Sequence, residues 1–138
     1  MPDSYFESVK KFHKVYGLEI NDEPIDMHEL HPHGNESSTP LWRLRTSLHA
    51  EEMDEIEDAM IDGTDLVPIA DAICDLIYVL CGTAVSFGIP LDECFAEVQR
   101  SNMSKLGDDG KPIVREDGKI LKGPNFMPPD LRSIIYGG

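Results

Sequence analysis

Acidic residues interrupt an apolar helical stripe near the middle of the chain. Residues that recur every three or four positions share one face of a helix. From position 41 that face reads Leu41, Leu44, Leu48, Glu52, Glu55 and Ala59. Glu51 lies on its flank. Glutamates on helices are usually solvated, but unpaired carboxylates within an apolar stripe are costly. These three glutamates are therefore candidate catalytic or metal-binding residues.

A second acidic pair lies in the next predicted helix. That segment is apolar nearly all round, which predicts a central, buried helix. Asp71 and Asp75 are its only charges between Pro68 and Phe87. Because like charges four residues apart repel each other, the pair needs a counter-charge. A divalent cation would supply one, and arginine side chains, Arg43 or Arg45, are the alternative source.

The two acidic segments belong to helices that a short connection joins. Such helices pack antiparallel, which can bring Glu52 and Glu55 opposite Asp71 and Asp75. Four carboxylates around one cavity match the oxygen ligands that Mg²⁺ or Mn²⁺ prefers. The pattern therefore predicts a divalent metal site.

A polar helix end farther along the chain carries a candidate phosphate site. Asn102 and Lys105 are three residues apart and share one face. A lysine beside amide and hydroxyl groups suits phosphate oxygens, although a lysine at a helix end also complements the helix dipole.

Periodicity, capping residues and turn residues predict the elements that position these groups. Four helices are expected over roughly residues 4–16, 39–62, 65–87 and 90–106. Residues 18–39 form a long loop, and Asp117-Gly118 predicts a β-hairpin within 113–122, followed by an extended segment. We expect an all-α, four-helix-bundle-like fold in a single domain over 1–138. Its helical core covers about 4–106, and its C-terminal arm covers about 107–138.

Composition and charge narrow the function classes. The chain has 138 residues, of which 26 are acidic and 12 basic, and its formal net charge is -14. Such a charge disfavours nucleic-acid polymers and anionic membranes as partners. No signal peptide and no uninterrupted apolar run of roughly 18–20 residues is visible. The three cysteines, Cys74, Cys81 and Cys94, are expected to be buried free thiols in a reducing cytoplasm.

Rival sites are weaker. His28, His31 and His33 are close enough in sequence for zinc, with Glu29 or a cysteine as a fourth ligand. Solvent-exposed loop histidines are the preferred interpretation, because no HExxH helix accompanies them. The chain has no Walker P-loop and no EF-hand loop.

The acidic segments resemble those of a known enzyme group. Glu51-Glu52-Met53-Asp54-Glu55 matches the EExxE motif of the all-α, MazG-like nucleoside triphosphate pyrophosphohydrolases, a superfamily that includes dimeric dUTPase and phosphoribosyl-ATP pyrophosphohydrolase. The segment 71–78 is similar to the second acidic helix of that group. It departs from the ExxD pattern, because Ala72 stands three residues before Asp75. Segments 101–106, 109–111 and 118–124 are similar to phage-type and some bacterial MazG-like proteins.

The resemblance implies a MazG-type helical fold, an oligomer (a homodimer or a dimer of dimers) and hydrolysis between the α- and β-phosphates with Mg²⁺ or Mn²⁺. In that chemistry Glu52, Glu55 and Asp75, with Asp71, hold metal. Glu51 or another carboxylate of the metal site accepts the proton of the attacking water. Lys105 binds the departing pyrophosphate and Asn102 orients phosphate or sugar.

The sequence leaves the nucleobase of the substrate undetermined. Trp42 and Tyr78 are candidates for stacking, although aromatic residues at helical spacing are more often core residues. The phage-like arm favours a purine deoxynucleotide such as dGTP or dATP, in a host cytoplasm if the protein is phage-encoded. A dUTP-type pyrophosphatase or a non-catalytic acidic interaction protein is the alternative.

Overall fold

The computed structural model describes residues 2–30 and 40–137, apart from the side chains of Glu29, Leu30 and Pro40. The chain is mostly helical, with one small β-hairpin near its C-terminus. The elements are α1 (Tyr5–Tyr16), α2 (Met27–Leu30), α3 (Pro40–Asp62), α4 (Leu66–Phe87), α5 (Leu91–Met103), β1 (Ile113–Val114), β2 (Ile120–Leu121) and α6 (Leu131–Tyr136). The prediction of an all-α fold with a C-terminal hairpin is confirmed.

Local signals set the helix ends. Ser4 and Glu7 form the expected capping box at the start of α1. Asp65 caps α4 by accepting a hydrogen bond from the amide of Val67, and Gly88 ends α4 with a left-handed φ of 72°. The predicted N-cap of α3, Thr39, lies outside the described residues. α5 ends at Met103, shorter than the predicted end near Lys105.

The chain divides into two compact units, Met1–Ile89 and Pro90–Gly138. In the N-terminal unit, α4 packs against both α1 and α3, so it is central as predicted. It is buried mainly in its C-terminal half, in contrast to the expectation of a buried helix. Cys81, Ala84 and Val85 are enclosed, and so is Ala72 in the N-terminal half, whereas Leu66 is 78% exposed. The expectation of three buried cysteines is correct for Cys81 and Cys94 and wrong for Cys74, which is exposed.

The chain between α1 and α2 is anchored on the end of α4. The Asn21 side-chain amide donates to the Ser86 carbonyl at 2.6 Å, and the Ser86 hydroxyl donates to the Glu19 carbonyl at 3.0 Å. Gly88 has no room for a Cβ, because the atom would collide with the backbone of Glu23. Part of the predicted long loop is therefore fixed to α4 rather than free.

The C-terminal unit contains α5, the hairpin and α6. The two strands pair antiparallel, with Ile113 opposite Leu121 and Val114 opposite Ile120. Arg115 and Lys119 close a three-residue loop in which Gly118 has a φ of 91°. The strands are therefore shorter than the Asp117-Gly118 signal suggested.

The sequence predicts an extended segment after the hairpin. In the structure this segment is not wholly extended. It ends in the helix α6, which begins after Asp130. The Asp130 carboxylate accepts from the Ser133 amide at 3.2 Å, a capping contact that lowers the energy of the first turn.

α4 also meets the length and composition criteria for a helix that could cross a membrane, and it is the one helix of the described residues that does so. Core helices of soluble proteins meet the same criteria, so this property alone is weak evidence for a membrane.

Candidate metal and phosphate site

Three carboxylates converge between α3 and α4. Ligand oxygens of Glu52, Glu55 and Asp75 all lie within 4.8 Å of one another. Glu52 and Asp75 are half-buried and Glu55 is exposed, so the trio is open to solvent on one side. The two helices are antiparallel, because Arg45, earlier on α3, contacts Thr83, later on α4. We call Glu52, Glu55 and Asp75 the acidic trio.

Glu52 carries the strongest sign that the trio suits a cation. Its Oε2 atom is buried and has no hydrogen-bond partner in the described part of the chain. Burial raises the pKa of the Glu52 carboxyl, and contact with Glu55 together with the negative charges of Glu55, Asp75 and Glu51 raises it further. A buried acceptor among like charges is the arrangement that a divalent cation relieves.

The other two predicted acids lie outside the trio. Asp71 is exposed on α4 and is not one of the three converging carboxylates, and its role as a metal ligand stays a prediction. Asp71 lies one turn before Asp75, so its side chain starts about 6 Å along the helix from the Asp75 position. Glu51 is exposed beside Glu52 and contributes to the electrostatics of that carboxyl.

Arginine does not neutralise the aspartates. Arg45 is only 5% exposed, but its guanidinium donates to the Val79 carbonyl at 2.6 Å and to the Thr83 hydroxyl at 3.0 Å. Arg43 is exposed. Within residues 2–30 and 40–137, neither arginine forms an ion pair with Asp71 or Asp75. The counter-charge for the trio must therefore come from outside these side chains.

Gly82 makes room for the buried arginine. A Cβ at this position would collide with the guanidinium of Arg45 and would lie 3.0 Å from His13 Nε2. His13 is buried as well, and its Nδ1 lies 2.9 Å from the Glu19 carbonyl. The interior of this unit is thus polar along the α3–α4 contact.

The predicted aromatic residues lie in different surroundings. Tyr78 packs edge-on against Phe12, with ring centroids 5.3 Å apart. It also lines a pocket of about 190 Å³. The pocket is lined by Tyr5, Ser8, Val9, Cys74, Ile77 and Tyr78. Trp42 is half-buried near the start of α3, and it does not line this pocket.

The predicted phosphate-binding residues belong to the C-terminal unit. Asn102 is exposed in the last turn of α5, and Lys105 is half-buried just beyond the end of that helix. The neighbouring serine has a structural contact: buried Ser101 donates to the Met127 carbonyl at 2.8 Å. Lys105 has no ion pair within the C-terminal unit's described residues, and both Lys105 and Asn102 stay candidates for phosphate.

The rival zinc site falls mostly outside the described residues. His28 is exposed in α2, and His31 and His33 lie outside the described residues. The described part of the chain has one group of at least three metal-ligating side chains, the acidic trio.

One half-buried polar residue of α3 escaped the sequence interpretation. His49 lies three residues before Glu52, and its Nε2 atom is 2.6 Å from the Thr83 hydroxyl. Its spacing from Glu52, which places both on one helix face, was the signal that could have identified it.

The chain is similar to known proteins in two comparisons. The model of a family described as phosphoribosyl-ATP pyrophosphohydrolase matches residues 9–102, which include α3, α4 and almost all of α5. A solved structure of a candidate NTP pyrophosphohydrolase from Exiguobacterium sp. 255-15 is similar, with 24% identity and a TM-score of 0.45, covering 94% of this chain and 90% of that chain. No curated protein sequence matches.

Proposed function

Because the chain belongs to the phosphoribosyl-ATP pyrophosphohydrolase family, within the MazG-like superfamily, and is a pyrophosphohydrolase, we propose a specific reaction for it. The protein hydrolyses a deoxynucleoside triphosphate between the α- and β-phosphates, with Mg²⁺ or Mn²⁺ held by the acidic trio. The products are the nucleoside monophosphate and pyrophosphate.

The acidic trio is the observation that carries this proposal. Three carboxylates share a space less than 5 Å across, one of them has a buried oxygen without a partner, and no arginine compensates them in the described residues. Hard oxygen ligands of this kind fit Mg²⁺ and Mn²⁺. A bound divalent cation neutralises triphosphate charge and lowers the pKa of a water molecule.

We assign the remaining tasks to the other residues that the sequence predicts for the site. Glu51, exposed beside Glu52, accepts the proton of the attacking water. Lys105 binds the pyrophosphate as it leaves and offsets its negative charge, and Asn102 orients the phosphates or the sugar. Asp71, exposed one turn before Asp75, binds the metal more weakly than the acidic trio does, at the edge of the site.

The pocket lined by Tyr5 and Tyr78 supports binding of a nucleobase. Tyr78 lies one turn after Asp75 on α4, so a base there would be close to the phosphates. Aromatic walls bind flat rings through stacking, and a purine offers more ring surface than a pyrimidine does. We therefore propose dGTP or dATP as the preferred substrate and dUTP as the alternative.

A substrate screen tests this proposal. The eight standard ribo- and deoxynucleoside triphosphates and dUTP are incubated with purified protein and Mg²⁺ or Mn²⁺, and pyrophosphate release is measured. We expect release from purine deoxynucleotides that stops when EDTA removes the metal. If no triphosphate yields pyrophosphate, the proposed reaction is wrong, and the alternative of a non-catalytic acidic interaction protein gains support.

Exposed apolar residues support an oligomer, which we propose to be a homodimer or a dimer of dimers. α4 has exposed apolar side chains at Leu66, Ile73 and Leu80, and Leu80 is 47% exposed. A lipid bilayer is a poorer partner than a second copy, because α4 also carries Asp71 and Asp75. A homo-oligomer of this kind fits an enzyme of the cytoplasm. If the protein is phage-encoded, this is the host cytoplasm.

Light scattering after size-exclusion chromatography tests the oligomer. Wild-type protein should elute as two or four copies, and Leu80→Glu should shift it toward the monomer. Val15→Glu is the matched control, because Val15 is an exposed apolar residue on α1 (78%) rather than on α4. A wild-type monomer would contradict the proposal.

A further inference from the structure

The chain between β2 and α6 is fixed against the end of α5 at two points. The Gly123 amide donates to the Lys105 carbonyl at 2.8 Å. Farther along, the Met127 amide donates to the Ser104 hydroxyl at 2.9 Å, and the Met127 carbonyl accepts from the Ser101 hydroxyl at 2.8 Å. This part of the C-terminal arm therefore lies on the segment that carries Lys105, within one compact unit.

Gly123 permits this close approach. A Cβ at position 123 would collide with the carbonyl oxygen of Leu106 and would lie 2.7 Å from that of Lys105, so a larger residue would separate the two segments. The preceding residue, Lys122, is therefore held next to Lys105 along the backbone. Because each lysine has a flexible four-carbon stem, both ammonium groups can reach one anion at the end of α5.

An aromatic ring orients the ammonium group of Lys122. Its Nζ atom lies 4.9 Å from the centroid of the Phe126 ring, which is a cation–π distance. Phe126 precedes Met127, whose backbone is bound to α5, and its own amide donates to the Gly123 carbonyl at 3.2 Å. The ring has no net charge, so this contact orients the ammonium group without neutralising it.

Lys105 and Lys122 have no ion-pair partner in the described part of the chain, where the ion pairs of this unit involve its arginines. The acids that follow Lys105 in the sequence have other contacts. Asp108 accepts from the Asn125 side chain at 3.0 Å. Asp109 accepts from a backbone amide at 3.0 Å. Both ammonium charges are therefore available to an external anion.

One lysine supplies too little positive charge for pyrophosphate at this place. The last carbonyl groups of a helix carry partial negative charge, and Lys105 comes directly after Ser104, the cap of α5. Asp108 and Asp109 add negative charge in the same loop. An anion of several charges therefore needs a second cation beside Lys105, and Lys122 is the residue that the backbone contacts bring there.

We propose that Lys105 and Lys122, the lysine pair, bind pyrophosphate together. Each ammonium group donates charge-assisted hydrogen bonds to phosphate oxygens, and the Gly123 contact and the Phe126 ring hold Lys122 in place. The proposal rests on the proposed function, because pyrophosphate is the product that leaves in that reaction. It gives the C-terminal arm a part in binding that product.

Isothermal titration calorimetry of inorganic pyrophosphate into the full-length protein, with Mg²⁺ present, tests the lysine pair. Hydrogen bonds to charged groups change affinity by roughly tenfold or more, so Lys122→Gln should raise the Kd for pyrophosphate about tenfold. Lys122→Arg keeps the charge and should bind nearly as the wild type does. Lys119→Gln is the matched control, because Lys119 and Lys122 flank β2 but Lys119 contacts the loop of the hairpin, through Arg115 and Asp117.

Ionic strength separates a charge effect from a structural one. Salt screens ionic attraction, so the wild-type affinity should fall more steeply with added KCl than that of Lys122→Gln. Circular dichroism checks that the variants are equally helical. Equal Kd values for Lys122→Gln and Lys119→Gln, the same salt dependence in Lys122→Gln and wild type, or no pyrophosphate binding to the wild type would each overturn the lysine pair.

The possible results also separate this inference from the proposed function. Triphosphate hydrolysis by a Lys122→Gln variant whose Kd for pyrophosphate is normal overturns the lysine pair alone. Pyrophosphate binding that depends on Lys122, in a protein that hydrolyses no triphosphate, supports the lysine pair and overturns the proposed reaction.

Discussion

Glu52 and Glu97 are both half-buried glutamates on packed helices, yet their pKa values shift in opposite directions. In the N-terminal unit, burial and neighbouring acids raise the pKa of Glu52. In the C-terminal unit, hydrogen bonds from Arg100 and from the Asp130 amide lower the pKa of Glu97 to about 2. Arg100 contacts both carboxylate oxygens of Glu97 at 2.8 Å.

The difference between these two glutamates lies in their partners. Glu97 has an arginine three residues later, and the same arginine also donates to the Pro128 carbonyl at 3.2 Å. Glu97 therefore attaches the C-terminal arm to α5. Glu52 has Glu55 three residues later and Asp75 across the interface. Glu97, which is paired with an arginine, stabilises the fold. Glu52, which is grouped with other acids, is suited to binding a metal ion.

The largest effect expected from this comparison is on catalysis. Asp75→Asn removes one charged ligand of the acidic trio, and we expect kcat to fall by about 100-fold or more because the metal and the attacking water lose their support. Steady-state pyrophosphate release measures it. Asp71→Asn and Glu57→Gln are the controls, since both acids are exposed outside the trio. Asp71→Asn should lower kcat less than Asp75→Asn does, and Glu57→Gln should leave kcat almost unchanged. Equal activity of Asp75→Asn and wild type would contradict the site.

The next effect concerns stability in acid. Because the folded-state pKa of Glu97 is below its usual value, its contribution to stability is present above pH 4.5 and is lost as pH falls toward 2. We expect Glu97→Gln to lower the melting temperature and to speed trypsin cleavage in the arm above pH 5. At pH 2 and below the melting temperatures should approach each other. Glu116→Gln is the control, because Glu116 is an exposed acid of the hairpin. A pH-independent difference would contradict this role of Glu97.

The smallest effect has the opposite sign. Because the folded-state pKa of Glu52 is raised, the metal-free protein should lose stability as pH rises above the usual glutamate pKa. Glu52→Gln removes one negative charge from the trio, and we expect it to raise the melting temperature of the metal-free protein at pH 7 by a few degrees. Mg²⁺ should stabilise the wild type more than this variant. A lower melting temperature for metal-free Glu52→Gln would show that Glu52 has a cation within the protein.

The sequence was sufficient to predict most of the helices, because glycines and capping side chains mark their ends locally. It did not predict α6, although Asp130 and the apolar residues Leu131, Ile134 and Ile135 have helical spacing, because the preceding prolines favoured an extended chain. The hairpin turn was predicted, whereas the shortness of its strands was not.

The site was predicted less completely than the fold, for a geometric reason. α4 is apolar nearly all round, so its pattern does not show which face meets α3. That rotation decides that Asp75 joins the trio and Asp71 stays exposed. The Arg45–Thr83–His49 hydrogen bonds likewise cross between helices, and spacing along one helix contains no information about such contacts.

Isothermal titration calorimetry of Mg²⁺ and Mn²⁺ tests the central claim most directly. Wild-type protein and Glu57→Gln should bind the metal alike, whereas Glu55→Gln should lose most of the affinity because it removes a ligand of the acidic trio. Circular dichroism verifies that all three proteins are equally helical. Equal metal affinity in Glu55→Gln and Glu57→Gln would contradict the assignment of the metal site to Glu52, Glu55 and Asp75.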